Sequence, residues 1–330
     1  MSETMPSIAV SRRIRFAARA GTWRHLARRA AWRLEPEQPR DSVPPSWPVS
    51  PEAKQTLRIR WPRRYGWANA AGWIDPIRRG IESHVALEPA DLAQPIGNVV
   101  VAEAVSGGRT RRVVIDYDDQ LTLNDVVDDA DIYFKMQYLR GGYGTDRVRP
   151  GGYITKQPAL YRYAARLRSM RERTVPAYDV FGRFGLSWAQ EIRGNALTQL
   201  REQDRFEFTG GGAPLWWGEY IDEVCAARVC LDLPGNGEFC YRLVEYLAVG
   251  ACVIGPELKT EMPVPLESGV HLLRVPRKLD GLVEECETLL QDAQRRTALQ
   301  RAAAEYFERY LALGQLGAYY VDGIWRALNA

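Results

Sequence analysis

The chain of 330 residues has 46% hydrophobic residues and carries 44 Lys and Arg against 41 Asp and Glu, a formal charge of +3. That length favours two domains or one large one, and no stretch approaches the roughly 18 uninterrupted apolar residues of a membrane-spanning helix, so an integral membrane protein is excluded. The near balance of charge conceals an asymmetry: residues 1–40 hold nine Arg and three Glu, +6, which leaves −3 for the rest.

Between Ser11 and Leu34, Phe16, Ala20, Trp23, Ala27, Ala30, Ala31 and Leu34 recur at helical spacing with arginines between them, predicting a basic amphipathic helix. Ser11-Arg12-Arg13 superficially resembles a twin-arginine export signal, but Arg19, Arg24, Arg28 and Arg29 interrupt the apolar region such a signal requires, so export is not expected. Residues 35–52 are too rich in proline for helix or strand and read as a linker, so residues 1–52 form an appendage.

Strand-like runs follow at 56–61, 98–105, 110–116 and 131–138, with helices expected near 74–83 and 122–130. The turn Ser106-Gly107-Gly108-Arg109 favours a hairpin between the second and third runs. These runs make 53–150 a mixed N-terminal α/β domain. Residues 139–157 are punctuated by glycines and prolines and precede a helical stretch at 158–172, which places a junction over 151–176.

From 177 onward the pattern is regular. Strands at 177–183, 205–209, 228–233, 251–255 and 270–275 alternate with helices at 187–202, 216–227 and 238–249, and three more helices follow at 279–293, 294–311 and 315–328. Such alternation indicates a parallel, doubly wound sheet over 177–330. Cys225, Cys230, Cys240, Cys252 and Cys286 form no CxxC and read as small buried hydrophobes of a reducing cytoplasm. With only His25, His84 and His271 present, a His-rich metal site is not expected.

Ligands bind a parallel α/β sheet at the carboxyl ends of its strands, so the loops there are where chemistry is sought. Four stand out: Phe181-Gly182-Arg183-Phe184-Gly185; Thr209 to Pro214, with Gly211, followed by Trp216-Trp217; Pro234-Gly235-Asn236-Gly237-Glu238; and Gly255-Pro256-Glu257. In the third, glycines let backbone N–H groups approach an anion and the next helix aims its positive end there. Arg242 and Glu245, at i and i+3, share a face of that helix, where an arginine fork suits a diphosphate and a carboxylate suits ribose hydroxyls. Loop closure alone would also explain the glycines, a surface ion pair would explain Glu238 with Arg242 at i, i+4, and core packing would explain Trp216 and Trp217 as well as base stacking.

The stretch from Pro234 through Arg242, Glu245 and Gly250 to Pro256 resembles the donor-binding signature of GT-B glycosyltransferases, and its Arg-x-x-Glu form is similar to the exostosin-like and protein O-glucosyltransferase-like branches. The resemblance covers about 177–330 and implies two Rossmann-like domains with a cleft between them. It implies that Glu245 binds the donor ribose, that Arg242 binds the diphosphate, and that Gly182 and Arg183 line the phosphate side. Where many retaining members carry an acidic residue eight positions before the ribose Glu, this chain has Gly237, so the stereochemical outcome stays open.

The resulting expectation is a cytoplasmic glycosyltransferase that moves a sugar from a nucleoside-diphosphate sugar to an acceptor hydroxyl without a metal or cofactor. Its acceptor is a glycan, a lipid-linked species or a small molecule. Donor-site candidates are Gly182, Arg183, Gly211, Trp216, Asn236, Gly237, Glu238, Arg242 and Glu245; candidates for the base are Asp116, Asp118 and His84, with Asp119 beside them. Asp116-Tyr117-Asp118 is formally a D-x-D, but acidic residues after a strand more often form a turn or helix cap. Lys135 and Arg140 are weaker candidates. The rival class is a non-catalytic nucleotide- or glycan-binding protein. Three readings compete for residues 11–34: packing on the body through Phe16, Trp23 and Leu34, contact with an anionic membrane at its inner face, and, ranked last, nucleic acid.

Overall fold

The computed structural model describes residues 20–34, 43, 46–213 and 215–330. One sheet contains β1 (Arg58–Pro62), β2 (Ala86–Ala90), β3 (Val99–Ser106), β4 (Arg109–Asp116), β5 (Ile132–Lys135) and β6 (Val148–Pro150), in spatial order β2-β1-β3-β4-β5-β6. β3 and β4 form the expected antiparallel hairpin, and β1 also runs antiparallel to β3. The outer pairs β1–β2, β4–β5 and β5–β6 are parallel, so the sheet is mixed. Side chains alternate across it. Val99, Val101, Val114 and Tyr133 fill one buried cluster, while Val100, Ala102, Val113, Ile115 and Phe134 fill another.

The second sheet is wholly parallel: β7 (Tyr178–Arg183), β8 (Phe208–Gly211), β9 (Ala227–Leu231), β10 (Val253–Pro256) and β11 (Leu273–Val275), in order β11-β10-β9-β7-β8. Val180, Val229, Leu231 and Ile254 pack on one face and Phe181, Cys230 and Val253 on the other, the two-sided burial of a doubly wound sheet. Its helices are α5 (Gln190–Glu202), α6 (Trp217–Cys225), α7 (Tyr241–Ala248), α8 (Leu282–Gln291) and α9 (Ala293–Tyr306). All five cysteines are buried and unpaired. Helix α4 (Pro158–Arg173) leads from the first sheet into the second.

Several elements differ from the sequence reading. β2 and β6 were not foreseen: each contains a proline, Pro89 or Pro150, and each lies at an edge of its sheet, where a missing ladder donor is tolerated. The helix expected over 122–130 is only a short turn at Asp125–Val127. There the Asn124 side chain accepts from the Val126 N–H, and Asp131 Oδ2 accepts from Arg112 N–H at 2.6 Å, so short polar side chains draw the segment away from helix. Within the expected linker, Ser50 caps a helix, α2 (Pro51–Thr56), and Trp47 packs on Tyr310 and Tyr319.

Two further helices join the units. α10 (Leu313–Asn329), by sequence part of the C-terminal domain, lies against α3 (Ala70–Glu82) and against β3, β4 and β5. The crossing is at two glycines so close that a Cβ on Gly317 would sit 2.1 Å from the Gly80 carbonyl. α1 (Ala20–Leu34) runs the other way and packs on α6 of the second unit. Phe16 and the rest of 11–19 lie outside the described residues. Trp23 and Leu34 of the expected packing stripe are 61% and 88% exposed, whereas Thr22 and His25 are buried and Trp32 packs on Tyr163, so α1 docks through these residues rather than through that stripe. The inward pairs explain the reversal: Arg28 Nη2 bonds Asp222 Oδ1 at 2.6 Å, and Arg166 donates to the Trp32 carbonyl at 2.6 Å. No helix among the described residues is long and apolar enough to cross a membrane.

Candidate functional site

A cavity of about 660 Å³ opens where β7 and β8 end. Its lining includes Arg183 and Phe184 after β7, Gly211 at the end of β8, Trp216 and Trp217 at the start of α6, and Arg242 and Glu245 on α7. α7 begins at Tyr241, so its first turn brings Arg242 to the end of β9, where Nη2 donates to the Leu233 carbonyl at 2.8 Å. The guanidinium is buried and its Nε has no partner.

Glu245, one turn on, has no solvent exposure. Its Oε1 accepts from Thr155 Oγ1 at 2.8 Å and from Trp217 Nε1 at 3.0 Å, while Oε2 is unpaired. Burial raises its pKa to about 7, overcoming the opposing pull of those donors and of the Arg242 charge. The expected Arg-x-x-Glu face thus borders one cavity with an open donor on the arginine and an open acceptor on the glutamate.

The other donor-site candidates divide. Arg183 borders the cavity, but Glu223 holds its guanidinium through Nε and, at 2.8 Å, through Nη2, so the pair brings little net charge. Gly182 does not line the cavity; it sits opposite Gly210, where a Cβ on Gly210 would fall 1.9 Å from the Gly182 carbonyl, so the glycines let β7 and β8 approach closely just before the cavity. Trp216 is partly exposed at the cavity mouth and its N–H donates to Glu219.

Asn236, Gly237 and Glu238 face a different space, a second cavity of about 950 Å³ bordered also by Asp119, Gln120, Arg277 and Lys278. Glu238 is not on the helix and does not pair with Arg242. Arg277 takes both carboxylate oxygens at 2.7 and 2.8 Å, and the Lys259 N–H adds a third bond, so the charge of Glu238 is already met within the protein. Asn236 donates to Asp119 Oδ2 at 3.0 Å, so the glycine loop spans the join between units rather than lying open as an anion cradle.

The base candidates are also redistributed. Asp116 is fully buried, with Lys135 Nζ at 2.9 Å, the Tyr133 hydroxyl and the Asp118 N–H all donating to it. It is a core ion pair, inaccessible to an acceptor, and Lys135 is spent in the same way. Asp118 closes a turn, accepting from Gln120 N–H at 2.9 Å and Asn98 at 3.2 Å. His84, at the end of α3, donates to the Gly314 carbonyl at 2.6 Å and borders neither cavity, because α10 has claimed it. Asp119 remains: it borders the second cavity, and burial raises its pKa against the hydrogen bond from Asn236.

Sequence reading missed Thr155, which lies in a stretch read only as a junction. It also missed Arg193, buried on α5, whose Nε bonds the Pro234 carbonyl at 2.8 Å and whose Nη1 bonds Gly185, tying two of the loops together. Neither carries a local motif; a helical arginine looks like a solvated face until the loops fold over it. Among the described residues, no group of three or more His, Cys, Asp or Glu is placed to hold a metal ion.

Residues 186–313, from the end of the first β7 loop to the start of α10, match the family model described as glycosyl transferase-like. No curated protein sequence matches the chain. Among solved structures, a glycosyltransferase from Rickettsia africae ESF-5 aligns with 66% of this chain and 70% of its own, at 11% identity and a TM-score of 0.44. Anabaena HepE in complex with UDP and glucose aligns over 56% of this chain and 61% of its own, at 17% identity and a TM-score of 0.37. A point mutant of S. aureus TarM, in complex with fondaparinux, alpha-GlcNAc-glycerol and UDP, aligns over 62% and 45%, at 8% identity and a TM-score of 0.39.

Proposed function

We propose that this chain, glycosyl transferase-like over residues 186–313, is a GT-B glycosyltransferase whose donor is a nucleoside-diphosphate sugar. One observation carries the reading: within the matched region, Arg242 Nε and Glu245 Oε2 stand buried and unpaired at the wall of one cavity. Buried polar atoms without partners are costly, and their retention on two residues of one cavity suits a ligand that offers both an anion and hydroxyl groups. The Arg242 fork would meet the diphosphate and Glu245 the ribose.

Transfer then requires the acceptor hydroxyl to attack the anomeric carbon as the bond to the diphosphate breaks. The charge left on the departing nucleoside diphosphate would be met by Arg242 and by the amino end of α7, without recourse to a metal. Asp119 is the proposed acceptor of the hydroxyl proton, since it borders the second cavity and burial raises its pKa above the ordinary carboxylate value, which strengthens it as a base. The acceptor class, whether glycan, lipid-linked or small molecule, would enter from that side. The outward face of α1, with Trp23, Leu26 and Leu34 near Arg24 and Arg33, supports peripheral contact with an anionic membrane, which co-sedimentation with anionic vesicles tests.

A melting panel of UDP, GDP, ADP and TDP tests the donor site, and release of nucleoside diphosphate from the matching sugar nucleotide tests transfer. One of the four should raise the melting temperature, and Arg242→Ala should abolish the rise. No shift with any of them overturns the reading. The occupied states of Asp116 and His84 favour one alternative, a nucleotide binder without turnover; stabilisation by a nucleotide with no release from any sugar nucleotide would select it.

A further inference from the structure

We propose that α1 is part of the nucleotide cavity and that His25 and Arg29 bind the diphosphate of the ligand there. The inference rests on the donor-site reading above and extends it to a helix outside the glycosyl transferase-like region.

Both residues border the cavity that holds Arg242 and Glu245. His25 is 1% exposed, and its ring meets the edge of Trp217 at 5.6 Å between centroids. Its seat is made by Gly218, where a Cβ would stand 2.2 Å from His25 Cγ, so α6 is shaped to receive this side chain. Arg28 Nη2 lies 3.1 Å from His25 Nδ1. An arginine can only donate, so Nδ1 accepts and the proton of the neutral ring is on Nε2. That Nε2–H is buried and has no partner.

Arg29 follows one turn on. Its Nε is buried and unpaired, and no carboxylate among the described residues makes an ion pair with it. The contrast with the neighbouring cations is informative. Arg28 is held by Asp222 and Arg183 by Glu223, so their charges are largely met within the protein. Lys156, on the opposite rim, lies 4.0 Å over the Trp73 ring. Arg29 therefore brings the cavity a positive charge that no carboxylate among the described residues pairs with, Arg242 adds a second guanidinium that has Asp232 and Glu245 nearby, and His25 adds a neutral donor. A planar guanidinium fork with a nearby N–H donor fits phosphoryl oxygens.

The same contacts link α1 to Glu245. Trp217, against which His25 rests, is the residue whose Nε1 donates to Glu245. Seating of α1 thus fixes the ribose-side carboxylate as well as supplying the phosphate side.

Titration calorimetry on the full chain tests this, with the nucleoside diphosphate that binds the wild type, its parent nucleoside and inorganic pyrophosphate as probes. Arg29→Gln, at a partly buried position, should keep the fold and weaken the diphosphate and pyrophosphate by about tenfold or more while leaving the nucleoside unchanged. Asp222→Asn, which releases the Arg28 tether and touches neither cavity ligand, should weaken the nucleoside and the diphosphate together by several-fold. Diphosphate affinity unchanged in both variants overturns the role of α1 while the donor site stands. A wild type that binds no nucleoside diphosphate overturns the donor-site reading and this inference with it.

Discussion

The side-chain amide of Gln137 meets both backbone groups of Phe239, donating from Nε2 to its carbonyl at 3.0 Å and accepting its N–H on Oε1 at 2.9 Å. One buried side chain thereby acts as a strand partner across the join of the two units. It holds the glycine loop that borders the second cavity.

Gly237 leaves room for that amide: a Cβ there would fall 2.3 Å from Gln137 Nε2 and 3.0 Å from Asp119 Oδ1. Gly237→Ala should displace Gln137 and leave buried polar groups unpaired, at a cost of roughly 1–3 kcal/mol. Thermal denaturation should show a melting temperature lowered by several degrees. An unchanged value would mean that the latch is slack.

Glu245 titrates near 7 in the folded protein, above the ordinary glutamate value of 4.5. Between those values the folded state binds the extra proton, so this group's contribution to stability is full below 4.5 and is lost as pH rises through 7. Glu245→Gln should remove that slope, and the difference in stability between variant and wild type should change most between pH 4.5 and 7. Ligand hydroxyls that donate to the carboxylate favour its ionised form, so nucleotide affinity should rise with pH through about 7 in the wild type and not in the variant. Calorimetry across this range would show parallel profiles if Glu245 does not touch the ligand.

Asp116 and Asp119 lie three residues apart and should fail in different ways. Asp116→Asn leaves Lys135 buried without its counter-charge, a change that costs about 3–5 kcal/mol, so the loss should be read in melting temperature. Asp119→Asn keeps the hydrogen-bonding shape and removes the base; its turnover should fall by about 10²–10⁴-fold with little change in stability or donor affinity. Comparable turnover in Asp119→Asn and wild type would remove Asp119 from the chemistry.

Gly80 and Gly317 bring two helix backbones into contact, and a Cβ on either would meet backbone atoms at 2.1–2.3 Å, which no rotamer change relieves. Gly317→Ala should destabilise by about 1–3 kcal/mol through overpacking, followed by denaturant unfolding. Gly314→Ala, with nothing near its Cβ, is the control in the same helix.

The parallel sheet was readable because its strands and helices alternate with short turns, and the face shared by Arg242 and Glu245 followed from i, i+3 spacing on a helix. The role of the glycine loop was not. The Phe239 backbone beside it meets Gln137 and its Asn236 side chain meets Asp119, each about 100 residues or more away, and local pattern holds no record of such pairings. Asp116 illustrates the same limit: three acidic residues after a strand look solvated, yet a lysine on the neighbouring strand draws the first of them into the core. α1 misled in a third way, since an apolar stripe normally packs inward, but here Asp222 and the seat at Gly218 draw Arg28 and His25 in.

The crossing of α10 onto the first sheet also sets an order of events during synthesis. The face of β3, β4 and β5 that it covers is complete in the chain by residue 135, yet its cover is made only after residue 313. At about 5–20 residues per second the gap lasts roughly 10–40 s. For that interval Phe134 and its neighbours lack the cover that Tyr319 and Tyr320 later provide, so the nascent first unit carries an open apolar face until α10 emerges.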